Sequence, residues 1–183
     1  MDLSRTGQET MAKWLNQTLW DIFLTITFRD ERRSILGIIH SYYSTLNHIY
    51  ELYNIYPVKS FLALEKHKYR MIPHIHSLIK FSKDTKEYTT EWEVDKNITI
   101  RTTLDLDKDF DVNKIYWQPI WELCYKKYGR TRIERYDINI GAGYYLSKYI
   151  YKPDSIVWWD VFTDQDWQGI RQGYLNFRLS LDR

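Results

Sequence analysis

The chain has 183 residues and a net charge of +2, with 44% hydrophobic and 27% charged residues. This length suits one domain with a core of its own, and the composition excludes an intrinsically disordered chain. The small net charge excludes a broadly basic surface, so any affinity for nucleic acid must come from a local grouping of Lys and Arg. The 16 Tyr, 8 Trp and 7 Phe are mostly expected in the core, although aromatic rings also stack on unpaired bases.

The cysteine content and the hydropathy pattern indicate the compartment. Cys124 is the only cysteine in the sequence, which excludes an internal disulfide and is typical of a reducing cytoplasm. Its apolar helical surroundings predict a buried, inert thiol and not a nucleophile. Asp2, Arg5 and Glu9 interrupt any signal-peptide pattern, and no apolar run reaches the length of a bilayer span. We therefore expect a cytoplasmic protein without membrane contact.

The first half of the chain predicts two helices and three strands, from apolar residues at helical spacing and from runs rich in β-branched and aromatic residues. These are a short helix over 8–18, a strand over 20–28, a helix up to about 53, and strands over 58–65 and 73–81. Asp30 or Ser34 is the expected cap of the long helix. Pro57 is expected to end that helix, and Pro73 suits the first position of a strand.

In the second half, the pattern weakens over 82–111, which we interpret as an insertion, with a hairpin as one form of it. The elements expected after it are a helix over 112–128 ending at Gly129, a strand over 132–138, a helix from 141–143 to Pro153, and a strand over 155–162. This order of elements predicts a single α+β domain over 1–183, with a mixed sheet and helices packed mainly on one side.

His74 and His76 stand one residue apart in the third predicted strand, so both side chains should lie on the same face. The second and third strands are expected to pair as a hairpin, which sets Glu65 opposite His74, with Cβ atoms about 5 Å apart. A His-x-His pair alone is usually structural, but two imidazoles and a carboxylate can hold a metal and leave positions open for phosphate oxygens. Mn²⁺ or Mg²⁺ suits this donor set, although Zn²⁺ would also bind. Asp30 and His67 are lesser candidates.

A Tyr-x-x-Lys unit occurs twice in succession near the end of the chain. On a helix its members form one stripe: Tyr145, Lys148, Tyr149 and Lys152. A second stripe, suited to packing on the sheet, consists of Ala142, Leu146 and Ile150. Lysines in the first stripe argue against deep burial of that face, because an unpaired buried ammonium is costly.

The tyrosine stripe predicts a nucleophile. A phenol is mostly protonated at neutral pH, and a neighbouring lysine or metal ion favours the reactive phenolate. Tyr145 is the expected first nucleophile, since it lies nearer the positive N-terminal end of the helix. Tyr149 could resolve the first adduct in a second transfer, and Tyr144 is a poorer candidate. Three arginines before this helix are candidates for phosphate contacts, with solvated surface charge as the equal alternative: Arg130, Arg132 and Arg135.

The ordered set of segments resembles the three motifs of HUH endonucleases: the strand over 23–28, then His74-Ile75-His76, then Tyr145-x-x-Lys148. In particular the chain looks like the Rep proteins that initiate rolling-circle replication of plasmids and single-stranded DNA viruses. The doubled tyrosine unit is similar to that of the two-tyrosine A proteins of isometric single-stranded DNA phages. The motif order over 20–152 favours Rep proteins over relaxases, whose tyrosine usually precedes the histidines.

The resemblance implies a five-stranded antiparallel sheet with the histidines on a central strand and the tyrosine helix beside it. It also implies cleavage of single-stranded DNA or an origin hairpin, leaving a 5′-phosphotyrosine and a free 3′-hydroxyl for a polymerase. The sequence contains no Gly-x-x-x-x-Gly-Lys-Ser/Thr motif, so a helicase of the host or replicon is an expected partner. A transposase or relaxase with the same chemistry, or a non-catalytic single-stranded nucleic-acid-binding protein, is the alternative.

Overall fold

The structure is a computed structural model that describes residues 3–29, 34–66, 72–83, 90–95, 98–102, 115–141, 143, 146–147, 156–163 and 166–169. Its elements in chain order are α1 (Leu3–Asn16), β1 (Ile22–Phe28), α2 (Ile35–Tyr53), β2 (Ile55–Lys66), β3 (Pro73–Lys83), β4 (Thr90–Asp95), β5 (Ile98–Thr102), α3 (Gln118–Lys127), β6 (Gly129–Arg135), a 3₁₀ turn (Ile138–Ile140) and β7 (Ile156–Thr163).

Five strands form one antiparallel sheet in the order β6-β1-β3-β2-β7. The predicted α+β class is therefore confirmed, as is the five-stranded antiparallel sheet that the motif resemblance implies, whereas the mixed sheet predicted from the order of elements was wrong. Strand β3 is the central strand. Strands β4 and β5 form a separate two-stranded hairpin within 82–111, the segment that the sequence predicted as an insertion.

The main core lies between the sheet and helices α2 and α3. Alternate residues of β1 enter it, namely Ile22, Leu24, Ile26 and Phe28. The ring of Tyr42 from α2 is fully buried there, and its hydroxyl lies 2.6 Å from the hydroxyls of both Ser60 and Ser77. A buried hydroxyl without a partner is costly, so the hydrogen bonds among these three hydroxyls stabilise the packing of α2 on β2 and β3.

The opposite face of the sheet carries a smaller core, which is built around α1. Its buried members are Leu15, Trp20, Phe61, Ala63, Leu78, Tyr136 and Leu146. Helices α2 and α3 thus share one face of the sheet, as the sequence predicted, while α1 packs on the other.

The end of α2 near residue 53 is confirmed, but the predicted starts of α1, β2, α3 and β6 were wrong. Helix α2 ends at Tyr53 because Asn54 adopts a left-handed conformation, and Pro57 lies inside β2. Pro57 is tolerated there because, among the described residues, β7 pairs with β2 only from Lys59 onward, so the missing N–H of Pro57 interrupts no described ladder on that side. At the other end of α2, Ser34 caps the helix as predicted, accepting a hydrogen bond from the Gly37 amide.

The second correction concerns α3, which begins at Gln118 and not near 112, since 115–117 are not helical. Pro119 stands in its first turn, where no intrahelical donor is needed. Strand β6 then starts at Gly129, three residues before the predicted position. Gly129 has a φ of +151°, and a Cβ there would overlap the carbonyl oxygen of Thr27, so the close pairing of β6 with β1 requires glycine.

Within the part of the chain that the structure describes, no helix has the length and apolar character needed to cross a membrane.

Candidate active site

The two histidines predicted from the sequence lie on the central strand, on the face opposite α2 and α3. Their neighbours Ile75 and Ser77 point into the main core, so the strand alternation sends His74 and His76 to the other side. The two rings are nearly parallel, with centroids 6.3 Å apart. Phe23 continues the row, its ring stacked 6.0 Å from that of His76.

Two threonines of β1 orient these imidazoles. Thr25 and Thr27 are the cross-strand partners of His76 and His74. Their hydroxyls lie 3.1 Å and 2.9 Å from the Nδ1 atoms of those histidines. A hydrogen bond at Nδ1 fixes the ring plane and leaves Nε2 as the nitrogen that a metal would use, the arrangement that typical metal-binding histidines show.

Glu65 is the third member of the predicted set, and the register places it as expected. Glu65 is the cross-strand partner of His74. Its carboxylate reaches diagonally, so that Oε2 lies 3.4 Å from Nε2 of His76. Both side chains are largely buried, at 16% and 10% exposure, so their interaction is screened less by water than a surface pair would be.

This donor set suits a divalent metal in its chemistry, since two imidazoles and a carboxylate share one partly buried face. The imidazole rings of His74 and His76 are not oriented so that both can bind one ion. An ion shared by both imidazoles needs a nitrogen of each within about 2.1 Å, so parallel rings 6.3 Å apart must turn towards a point between them. Consistent with this, no three His, Cys, Asp or Glu side chains among the described residues are already grouped as metal ligands.

A cleft of about 590 Å³ opens beside the histidines, lined by residues of β1, β3 and β6. Arg130 and Arg132 are the cross-strand partners of Thr27 and Thr25, so they lie on the histidine face, and both are exposed. Arg135 is paired with Ile22 and so alternates to the other face, but at the strand end it still lines the same cleft. The structure therefore brings Arg130 and Arg132 close to the histidines and Arg135 to the cleft margin.

The helix predicted from 141–143 to Pro153 carries the candidate nucleophiles and is called the tyrosine segment below. Leu146 connects this segment to the histidine face of the sheet. It is fully buried in the smaller core with Ala63 and Leu78, and Ala63 is the cross-strand partner of His76. Gly143, Leu146 and Ser147 are helical, and Leu146 occupies the packing position that the sequence predicted. The four residues predicted as catalytic lie outside the described residues: Tyr145, Lys148, Tyr149 and Lys152.

A junction with α1 holds the start of this segment. A Cβ on Gly143 would overlap Oδ1 of Asn16, the last residue of α1. The same Oδ1 accepts a hydrogen bond from the Tyr136 hydroxyl at 3.0 Å. Asn16, Tyr136 and Gly143 therefore meet at one point, where α1, the end of β6 and the tyrosine segment come together.

Other candidate nucleophiles among the described residues are poorly suited to the chemistry. Burial raises the pKa of the Cys124 thiol to about 11, which keeps it protonated and confirms the predicted buried thiol. Burial also raises the pKa values of Tyr42 and Tyr53. Tyr136 lines the cleft, but desolvation raises its pKa as well, which disfavours its phenolate.

Sequence reasoning missed Thr25, Thr27 and Asn16. The two threonines stand on alternate positions of a strand that was correctly predicted, and their spacing matches that of the histidines. That shared spacing was the available signal, but it becomes informative only once β1 is known to pair with β3.

Comparison of the chain with protein-family models, with curated proteins and with solved structures finds no match in any of the three.

Proposed function

We propose that this protein is a metal-dependent nickase and strand transferase for single-stranded DNA, of the HUH type and acting as a rolling-circle replication initiator. One observation carries the proposal: His74 and His76 on the central strand share a face of the sheet with Glu65 of β2, beside a cleft lined by arginines. Transposases and relaxases use the same chemistry, but the order of the motifs favours an initiator.

The described residues have distinct parts in the proposed reaction. Arg130 and Arg132 bind phosphates of the DNA strand in the cleft, because exposed guanidinium groups pair with phosphate oxygens. Thr25 and Thr27 hold the two imidazoles in place through Nδ1. Leu146 anchors the tyrosine segment beside Ala63, one strand away from His76.

In the proposed step the phenol oxygen of Tyr145 bonds to the phosphorus atom, and the bond between phosphorus and the 3′-oxygen breaks. The phenol proton is lost to solvent and the 3′-oxygen gains one, which leaves a 5′-phosphotyrosine and a free 3′-hydroxyl. His74, His76 and Glu65 would hold Mn²⁺ or Mg²⁺, which neutralises phosphate charge as the transition state forms. The phosphotyrosine link keeps the energy of the phosphodiester, so strand joining needs no further energy source.

The experiment that tests the proposal is a search for covalent protein–DNA adducts. A pool of random single-stranded oligonucleotides labelled at the 3′ end is incubated with the protein and Mn²⁺, and label that stays with the protein after denaturation is measured, because the 5′-phosphotyrosine retains the fragment 3′ of the cut. We expect adduct with Mn²⁺ and none in chelator. A non-catalytic DNA-binding protein would bind the pool and give no adduct, which would contradict the proposal.

Histidine variants make the test specific to the site. His74→Ala and His76→Ala should each abolish the adduct, while Glu65→Ala should weaken metal affinity and be partly restored by higher Mn²⁺. The control is His40→Ala, since His40 is exposed on α2, on the other side of the sheet. Retained cleavage in the His74→Ala/His76→Ala double variant would exclude the proposed site. If adduct forms, the DNA that flanks the gene is the substrate to test for an origin, which a polymerase and helicase would then use.

A further inference from the structure

An aromatic pair on α3 lies across the edge strand β6 from the cleft beside the histidines. Trp121 and Tyr125 are one turn apart on α3, with ring centroids 5.2 Å apart and an interplanar angle of 13°. The guanidinium of Arg29 stands 4.8 Å from the centroid of the Tyr125 ring. It also donates a hydrogen bond to the Tyr125 carbonyl oxygen at 2.6 Å, so the cation is held against the ring by two interactions.

These rings are exposed although they are large. Trp121 is 36% exposed and Tyr125 is 46% exposed. Single exposed aromatics are normal on protein surfaces. A parallel pair beside a fixed guanidinium is less usual. The ordering of these three side chains costs conformational entropy, which their exposed contacts offset only in part.

The aromatic pair is continuous with the candidate active site. It lines a cleft of about 600 Å³ together with Thr27, Arg130 and Arg132. Those three residues also line the cleft beside His76. A chain bound along the arginines of β6 therefore passes from the histidines, round the sheet edge, to the aromatic pair.

The charges around the pair favour a polyanion as the occupant. Three arginines line this cleft: Arg29, Arg130 and Arg132. Two carboxylates are near, and each already has a partner, since Gln118 donates to Glu122 and Arg132 pairs with Glu134. An exposed ring face beside cations binds a base that is not stacked in a duplex.

We propose that Trp121, Tyr125 and Arg29 form a stacking platform for an unpaired base of the DNA strand, outside the nucleotides that flank the cut. This inference rests on the proposed function, since it assumes that single-stranded DNA occupies the arginine cleft. The platform keeps the strand single and extended at the sheet edge. It raises affinity for the substrate without taking part in the bond-breaking step.

The test is binding of a fluorescein-labelled oligothymidine, measured by anisotropy in chelator so that no cleavage occurs. Trp121→Ala should raise Kd about 5- to 100-fold, the effect expected for loss of one stacked base. Trp121→Phe keeps an aromatic face and should retain most of the affinity, whereas Trp121→Leu should not.

Trp14→Ala is the matched control. Trp14 is also 36% exposed and also has a cation near its ring, with Nζ of Lys59 5.4 Å from the centroid, but it lies on α1. We expect no change in Kd for this variant. Equal losses in Trp14→Ala and Trp121→Ala, or no loss in either, would overturn the platform.

A second measurement does not depend on the folding of a variant. Ultraviolet cross-linking of the unmodified protein to 5-iodouracil oligonucleotides should yield an adduct on the peptide that contains Trp121 and Tyr125, and cross-links confined to other peptides would overturn the inference.

The two proposals fail separately. Covalent nicking with unchanged binding by Trp121→Ala leaves the nickase and removes the platform. Trp121-dependent binding without covalent adduct leaves the platform and removes the nickase.

Discussion

At the scale of single residues, the candidate site depends on which nitrogen of each imidazole is left for a metal. The hydroxyls of Thr25 and Thr27 lie within hydrogen-bond distance of Nδ1 in both rings, which leaves Nε2 for that role. A threonine hydroxyl is a weak partner compared with a carboxylate, so it orients the ring while adding no charge to the site. The charge in the donor set then comes from Glu65 alone.

We predict that Thr25→Val and Thr27→Val each lower the affinity for Mn²⁺ by about 10- to 100-fold, since valine keeps the shape and loses the hydrogen bond that fixes the ring. The free energy of unfolding should change by less than about 1.5 kcal/mol. Adduct yield across a Mn²⁺ titration and urea unfolding measure the two effects. Thr131→Val is the control, because Thr131 is buried on the opposite face of the same sheet. An unchanged Mn²⁺ dependence in the Thr25 and Thr27 variants would contradict the assigned role.

The residues differ in how far the sequence could predict them. His74, His76 and Glu65 follow from strand alternation and from a hairpin with a short connection, both of which are local. The contacts of Thr25 and Thr27 join residues 51 and 47 positions apart. No local pattern sets the register between strands so distant in sequence, because it is fixed by how the whole sheet packs.

At the scale of elements, α1 and the segment that carries Leu146 cover one end of the histidine face. The sequence predicted both a leading helix and a packing role for Leu146. It did not predict that they meet through Asn16 and Gly143, since close approach of two backbones depends on tertiary packing. The wrong boundaries near Pro57 and Pro119 both involve the position of a proline. Pro57 was expected to end a helix and lies in a half-paired strand, whereas Pro119 was placed inside a predicted helix and lies in the first helical turn.

We predict that Gly143→Ala lowers adduct yield, because its Cβ overlaps Asn16 Oδ1 and pushes the tyrosine segment away from α1. Overpacking of this kind typically costs about 1–3 kcal/mol, more than the roughly 1 kcal/mol that alanine gains over glycine in a helix. Asn16→Ala should relieve the overlap, so the double variant should regain activity. Gly169→Ala is the control, since nothing lies within 4 Å of the added atom. Full activity of Gly143→Ala alone would show that the junction does not position the segment.

At the scale of the whole molecule, a net charge of +2 leaves little long-range attraction for DNA, so binding must rely on a local concentration of cations. The structure concentrates arginines along β6, between the histidine cleft and the Trp121–Tyr125 pair. The fold class could be predicted from the order of elements, and the arginine strand from its position before the tyrosine helix. The continuity of the two clefts could not be predicted from the sequence, because it arises from the position of β6 at the edge of the sheet.

We predict that replacing Arg130, Arg132 and Arg135 by alanine weakens binding of single-stranded DNA and flattens its salt dependence. Each lost phosphate contact should reduce the slope of log K against log salt by about 0.7. Arg130 and Arg132 on the histidine face should account for most of the change. Anisotropy titrations at several salt concentrations measure the slope, and Lys13→Ala, an exposed cation on α1, serves as the control. An unchanged slope in the triple variant would assign these arginines to the solvated surface.

The central claim is that a tyrosine beside the histidine site becomes covalently joined to DNA. Mass spectrometry of the peptide–DNA adduct, trapped with Mn²⁺ and digested, tests it most directly. The account predicts a phosphodiester-derived adduct on Tyr145, lost in Tyr145→Phe and largely kept in Tyr149→Phe. No adduct in any peptide would contradict the claim, and an adduct only on Tyr149 or Tyr144 would contradict the choice of nucleophile.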